Sequence, residues 1–147
     1  MHREIEEFTV PPEPEEYAAL REAAGLSPKD VAKSAVGLPN SLFAVTLRDS
    51  GKLIGMGRVI GDGGCFFHVV DIAVDPAYQG RGLGKRIMRR ITEYLDAHAS
   101  SGAYVSLMAD VPADHLYKQF GFVYGYPKSV GMYKLYKEAD PGASSSS

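Results

Sequence analysis

The sequence is poor in the features that build disulfides, metal sites, membrane spans and nucleic-acid surfaces. It has one cysteine, Cys65, so neither an intrachain disulfide nor a zinc site of several cysteines can form. Its four histidines lack the short spacings of metal ligands, and we expect no metal. Its longest apolar runs fall well short of the roughly 20 residues that span a bilayer, so no membrane contact is expected. Sixteen Lys and Arg against eighteen Asp and Glu leave a net charge of −2, so no broad basic field exists to hold nucleic acid.

The residues that are present have the composition of a folded domain. The 147 residues are 45% hydrophobic and 23% charged, a balance that argues against disorder and fits one domain. We expect residues 1–13 to be an N-terminal extension or a first strand, 14–139 to be the domain, and 140–147, which are small and polar, to be a disordered tail. The acidic, proline-containing segment 1–16 is unlike a targeting sequence, so the expected location is the cytoplasm.

Hydrophobic periodicity and turn residues predict helices first, then an antiparallel meander, then strand–helix–strand. A helix from Pro14 is followed by a short helix capped by Ser27, and an apolar residue at every fourth position from 83 to 95 marks a long amphipathic helix. This order predicts the α+β class with a mixed sheet. The predicted strands cover residues 5–10, 42–48, 52–60, 65–74, 103–108, 122–124 and 130–136, and the later helices cover 85–98 and 113–120.

A glycine-rich loop at the start of the long helix is the most informative stretch. The predicted strand 65–74 ends just before Pro76, and three glycines in five residues, Gly80, Gly82 and Gly84, lead into the helix. Glycine allows backbone amides to converge on one anion, and the helix N-terminus adds unpaired donors. Basic side chains in and after the loop add local positive charge. The stretch predicts a cradle for a phosphate or pyrophosphate; the alternative is only a tight connection between strand and helix.

Two familiar nucleotide motifs do not fit this loop. A P-loop needs a glycine five positions before Gly84, where Gln79 stands, and a Ser or Thr where Arg86 stands. A dinucleotide-binding fingerprint needs its third glycine where Lys85 stands. The spacing that does occur is Gln-x-x-Gly-x-Gly, from Gln79 through Gly82 to Gly84.

This spacing resembles the acyl-coenzyme A signature of the GNAT superfamily of N-acetyltransferases, in which Gln79 stands where Arg is commoner. Residues 115–122, His-Leu-Tyr-Lys-Gln-Phe-Gly-Phe, are similar to a later motif of that family, and the order of elements matches from position 14 to about position 136. The resemblance implies a single-domain α+β fold with a central, mostly antiparallel mixed sheet flanked by helices. Its parallel pair, strands 65–74 and 103–108, would splay apart to form the acyl-CoA cleft.

The resemblance also implies acetyl-CoA as co-substrate, and it assigns that molecule's contacts. The pantetheine arm would pair with the strand at Ile72 and Val74 as an added strand, and one backbone N–H there would polarise the thioester carbonyl. The pyrophosphate would lie on the glycine loop. The implied cofactor residues are Ile72, Ala73, Val74, Gln79, Gly80, Arg81, Gly82, Leu83, Gly84 and Lys85.

Two residues are candidates for the proton transfers that acetylation of an amine requires. Tyr117 stands at the family's general-acid position, and the alternative is an aromatic side chain that packs in the core. His68 is the candidate general base, with a structural histidine as the alternative. Alternation along the strand predicts that His68 shares one face with Val70, Ile72 and Val74.

Three polar residues are candidates for contact with the acceptor. Asp71 is expected on the opposite strand face, near Val69 and Ala73, where it either binds the substrate ammonium or orients a neighbouring loop. Asn40 lies in a predicted acceptor loop, and Asp110 follows the end of a predicted strand.

The resemblance therefore predicts an N-acetyltransferase of the small-molecule type. It would move the acetyl group of acetyl-CoA to a primary amine by direct attack in a ternary complex. Amino sugars, arylalkylamines, polyamines and amino acids all stay open as acceptors. The alternatives are a non-catalytic domain that binds or senses acyl-CoA, and a protein or peptide N-acetyltransferase. A homodimer is a further expectation from the family.

Overall fold

A computed structural model describes residues 4–136, in which a five-stranded mixed sheet carries helices on both faces. The strands lie in chain order, antiparallel from the first to the fourth, and the fourth and fifth pair in parallel. The α+β prediction is thereby confirmed. The strands are β1 (Glu6–Phe8), β2 (Phe43–Asp49), β3 (Lys52–Gly61), β4 (Phe66–Val74) and β5 (Tyr104–Leu107), and the helices are α1 (Pro14–Ala23), α2 (Val31–Gly37), α3 (Leu83–His98) and α4 (Asp114–Lys118).

Helix α3 supplies one side of the main core. Its predicted apolar stripe is buried against the sheet, because residues four apart in a helix project from the same face. A smaller core on the other sheet face includes Tyr17 and Leu20 of α1 with Met56 and Ala73 of the sheet. The tight β2–β3 hairpin is also as predicted, with positive φ at both Ser50 and Gly51, as such a turn requires.

Helix α2 differs from its prediction at the first turn. Its N-cap is Asp30, whose carboxylate accepts a hydrogen bond from the Lys33 amide at 2.9 Å. The hydroxyl of Ser27, the predicted cap, instead accepts a hydrogen bond from Arg21 at 3.0 Å. Because Arg21 engages the Ser27 hydroxyl, the helix is capped three residues later, at Asp30.

The strands predicted over 122–124 and 130–136 are wrong. Within the described part of the chain these residues form no strand, and 123–136 are exposed. Their β-branched and aromatic side chains favour extended structure, but a strand exists only where a neighbour completes its hydrogen bonds. The tail predicted over 140–147 lies outside the described residues. No helix within residues 4–136 is long and apolar enough to cross a bilayer.

Strand β4 contains a bulge that changes which side chains share a face. Between the pairs Arg58–Val70 and Met56–Ala73, two residues of β4 stand opposite one residue of β3. The bulge includes Asp71, whose φ of 62° is left-handed. Ile72 therefore packs against the same core as residues 67 and 69, and so does residue 74.

This phase change corrects one prediction. His68 does not share a face with Ile72 and Val74, because the strand gains one residue between them. The prediction for Asp71 is half right. Asp71 lies on the same sheet face as Ala73, but it does not share a face with Val69, because the bulge interrupts the alternation between them.

Candidate active site

The glycine loop has the backbone that an anion cradle needs. Gly80 and Gly82 have φ of 80° and 76°, a left-handed conformation that disfavours any side chain. Gly82 is the N-cap of α3 and offers no capping side chain, so within the described chain the first amides of the helix have no side-chain acceptor. These amides and the positive end of the helix dipole suit a phosphate group.

A first cleft, called here the loop cleft, runs from the end of β4 along this loop to α4. Eight of the ten predicted cofactor residues line it together with Tyr117 and Leu116. Arg81 and Lys85 do not line it. Both are exposed, and the Arg81 guanidinium lies 5.2 Å from the ring centre of Tyr78. The eight are Ile72, Ala73, Val74, Gln79, Gly80, Gly82, Leu83 and Gly84.

One edge of β4 is open beside the loop cleft. Pairing with β5 ends at Val69 and Leu107, so no described strand pairs with the later part of β4 on that side. The Gln79 side-chain amide donates to the Val74 carbonyl at 3.2 Å, which ties the loop to this strand end. The parallel pair therefore splays as predicted, and an extended chain could add along the open edge.

A second and larger cleft, called here the wide cleft, lies beside β5. His68 and Ser106 line it, as do the chain after β5 and much of segment 120–132. Tyr117 lines this cleft as well as the loop cleft. The ring of Tyr117 is therefore positioned at the junction of the two spaces, where a group could pass from one ligand to another.

The phenol of Tyr117 has the properties of a proton donor. It is buried, and its ring meets Phe122 edge to face at a centroid distance of 6.4 Å. Burial, helped by the nearby charge of Asp110, raises the pKa of Tyr117 above its ordinary value of 10.0. The phenol therefore keeps its proton at neutral pH.

His68 has a partner that sequence reasoning missed. Its Nδ1 lies 2.9 Å from the hydroxyl oxygen of Ser106, and the two residues stand opposite each other in the β4–β5 ladder. When Nδ1 carries the proton and donates a hydrogen bond to the Ser106 hydroxyl, Nε2 holds a lone pair and can act as a base. Only the strand register brings Ser106 here, and no motif marks it in the sequence.

The three candidate acceptor residues have different surroundings. Asp71 accepts a hydrogen bond from the Tyr17 hydroxyl and forms ion pairs with Arg21 and Arg58, which favours its structural alternative. Asn40 is exposed and donates its side-chain amide to a backbone carbonyl of α2. Neither Asn40 nor Asp110 lines either cleft.

Comparison with known proteins identifies the family. The model of the Acetyltransferase (GNAT) family matches residues 2–122. The chain belongs to the GNAT acetyltransferase family. By family it is a GNAT N-acetyltransferase, and the loop cleft corresponds to the place where the family signature was recognised.

Relatives of this GNAT chain agree with the fold. A solved structure from methicillin-resistant Staphylococcus aureus, described as a probable acetyltransferase of unknown function, is 50% identical with a TM-score of 0.88, over 90% of this chain and 100% of the other. An uncharacterised N-acetyltransferase of Pyropia yezoensis is 28% identical over 80% of this chain and 69% of its own length. A histone acetyltransferase of Glycine max is 29% identical over 71% of this chain; the match spans about half, 49%, of that relative's length.

Proposed function

We propose that this GNAT protein transfers the acetyl group of acetyl-CoA to a primary amine of a small molecule, by direct attack in a ternary complex. The observation that carries the proposal is that Tyr117 lines both clefts. One cleft then holds the coenzyme and the other holds the acceptor, with a proton donor between them.

The loop cleft fits acetyl-CoA by the chemistry of its donors. The amides around Gly80 and Gly82 would hold the diphosphate, and the open edge of β4 at Ile72 and Val74 would hold the pantetheine arm. When bound, acetyl-CoA supplies the acetyl thioester. A backbone N–H of Ile72 or Val74 would stabilise the oxyanion that forms at its carbonyl.

Tyr117 acts as the general acid in this proposal. A thiol has a pKa near about 8.5, so the leaving thiolate is stabilised when a proton is donated to it. Because burial raises the pKa of Tyr117, the phenol is fully protonated at the working pH.

His68 acts as the general base. An alkylamine has a pKa of about 10 and must lose a proton before it can attack. His68 lines the wide cleft, and in the tautomer whose Nδ1 donates to the Ser106 hydroxyl, Nε2 is the acceptor atom. The alternative, a histidine that only joins β4 to β5, predicts no effect on the pH dependence of turnover.

The near-neutral net charge of −2 argues for a small acceptor over a strongly basic protein tail. The second candidate function is a protein N-acetyltransferase, because one relative is a histone acetyltransferase. A cytoplasmic homodimer stays a prediction, and light scattering on purified protein tests its oligomeric part.

The deciding experiment incubates the protein with acetyl-CoA and a panel of amines, with a basic peptide as a further acceptor, and measures free thiol. We expect release with at least one small amine. Tyr117→Phe should lower kcat about 10²–10⁴-fold while the affinity for CoA stays unchanged, since only the proton is lost. Tyr133→Phe is the control, because Tyr133 is exposed and lines neither cleft.

Three results would change the proposal. Release with the peptide alone would favour the protein acetyltransferase. Binding of acetyl-CoA without transfer to any acceptor would favour a sensing domain. Unchanged turnover in Tyr117→Phe would remove Tyr117 from the mechanism.

A further inference from the structure

The backbone at Asp71 is strained in a place where no turn demands it. Its φ of 62° lies in the left-handed region, inside strand β4. Among the described residues, the other non-glycine residue with positive φ is Ser50, which lies in the β2–β3 turn. A strained conformation inside a strand persists only where surrounding contacts enforce it.

Three donors hold the Asp71 side chain. Oδ1 accepts hydrogen bonds from the Tyr17 hydroxyl at 2.9 Å and from Arg21, and Oδ2 accepts one from Arg58 Nε at 2.6 Å. The Asp71 side chain is only 4% exposed. We call these four residues, Tyr17, Arg21, Arg58 and Asp71, the Asp71 clamp.

The clamp is connected to the chain on both sides of α2. Arg21 donates to the hydroxyl and the carbonyl of Ser27, at 3.0 and 2.9 Å. Arg58 donates to the Ser41 hydroxyl at 2.9 Å. Ser27 precedes α2 and Ser41 follows it, so both ends of this segment are bonded to the partners of one carboxylate.

The clamp also stands where the open edge of β4 begins. The parallel ladder with β5 stops at Val69, two residues before Asp71, and the open edge that lines the loop cleft starts at Ile72. Ile72 can occupy its position because Gly57 stands opposite; a Cβ at residue 57 would lie 2.7 Å from Ile72 Cδ1. The bulge therefore sets the direction of the Ile72 and Val74 backbone groups.

We propose that the Asp71 clamp fixes the β4 bulge and thereby sets the alignment of the acyl-binding edge at Ile72–Val74. Asp71 is in this view a positioning residue and does not bind the substrate ammonium. The inference rests on the proposed function, because the alignment matters for acetyl transfer.

The test uses two clamp variants, Tyr17→Phe and Asp71→Asn. Tyr17→Phe removes one donor and no charge, and Asn tolerates the left-handed conformation while losing the charge. We expect faster amide hydrogen exchange at residues 72–74, and a fall in kcat of about tenfold or more, since small misplacements of reacting groups are costly. The control is Tyr94→Phe on α3. It also removes a phenol hydroxyl, but Tyr94 is not part of the clamp and lines neither cleft.

Asp71→Asn leaves two buried guanidinium groups without their counter-charge, which endangers folding. If that variant does not fold, Tyr17→Phe decides. Unchanged exchange at residues 72–74 in Tyr17→Phe would overturn the inference, and so would faster exchange with unchanged kcat and acetyl-CoA affinity. If the wild type acetylates no amine, the proposed function fails; faster exchange together with weaker CoA binding in the variant would then still support the clamp.

Discussion

The imidazole of His68 and the hydroxyl of Ser106 meet at 2.9 Å across the parallel pair β4–β5. The contact joins the two strands at a point where both side chains line the wide cleft. A hydroxyl can donate or accept, so the contact fits either neutral form of the imidazole, and the form with the proton on Nδ1 has Nε2 as its acceptor.

We predict that Ser106→Ala lowers kcat by about tenfold, because the imidazole then loses the hydrogen bond that orients it. His68→Gln should lower kcat further and abolish the acid limb of the pH–rate profile. Steady-state kinetics across pH measures both effects. Ser101→Ala, at an exposed serine outside both clefts, should behave as the wild type. A His68→Gln profile with the shape of the wild-type profile would leave His68 a structural residue only.

The loop cleft makes a second prediction through Gly82. Gly82→Ala places a side chain at a φ of 76°, which costs about 1–2 kcal/mol unless the loop changes shape. Because the N-terminal amides of α3 depend on that shape, CoA affinity measured by calorimetry should fall about tenfold.

The matched control for this change is Gly102→Ala. Gly102 has a φ of 88° and open space around its Cβ position, as Gly82 has, but it lies outside both clefts. Both variants should lose similar stability, and only Gly82→Ala should lose affinity. Equal CoA affinity in the two variants would show that the loop does not hold the coenzyme.

Local patterns in the sequence predicted much of this molecule. Helix α3 and the β2–β3 turn follow from residues that are neighbours along the chain, because a 3.6-residue period and a left-handed pair such as Ser50-Gly51 are local features. The glycine loop is local too, but the assignment of its residues one by one came from the family resemblance; Arg81 and Lys85, which are exposed, are the two that do not line the loop cleft.

Features that depend on distant partners could not be predicted in this way. The bulge at Asp71 exists where Tyr17, Arg21 and Arg58 converge, and these residues are 13 to 54 positions away. Alternation that ignores the bulge places His68 on the same face as Ile72 and Val74, which in the structure lie on the other face. The contact with Ser106 likewise requires the register of two strands that are 38 positions apart.

Gly57 makes a third prediction, on stability. An alanine Cβ there would lie 2.7 Å from Ile72 Cδ1, 2.7 Å from Ile87 Cγ2 and 2.9 Å from Ile91 Cδ1, so the core must move. We expect Gly57→Ala to lower the free energy of unfolding by about 1–3 kcal/mol in urea titrations. Gly55→Ala, on the same strand, meets its nearest neighbour at 3.2 Å and should lose less. Equal losses of unfolding free energy in the two variants would mean that the close approach of Ile72 does not determine the cost of a side chain at position 57.

The ion pair between Glu16 and Arg48 makes a fourth prediction, on the pH dependence of stability. Arg48 donates to Glu16 from two nitrogens, at 2.8 and 2.5 Å, and the Glu13 amide donates to the same carboxylate at 2.9 Å. The hydrogen bond from Arg48 is the main reason that the pKa of Glu16 is below its ordinary 4.5, and burial opposes it. Glu16→Gln should cost about 0.5–1 kcal/mol at pH 7, the range of a well-formed pair near the surface.

The sign of this effect follows from proton binding. Since the folded state binds the Glu16 proton more weakly than the unfolded chain does, the carboxylate stabilises the fold fully at pH values above 4.5. That contribution is lost as the pH falls through the lowered pKa, so the curves of unfolding free energy for wild type and Glu16→Gln should converge at acid pH. Glu15→Gln, on the exposed side of the same helical turn, should give a smaller difference at pH 7. If the difference in unfolding free energy between wild type and Glu16→Gln stays constant from pH 7 to the acid range, the stabilisation comes from side-chain packing and not from the charge of Glu16.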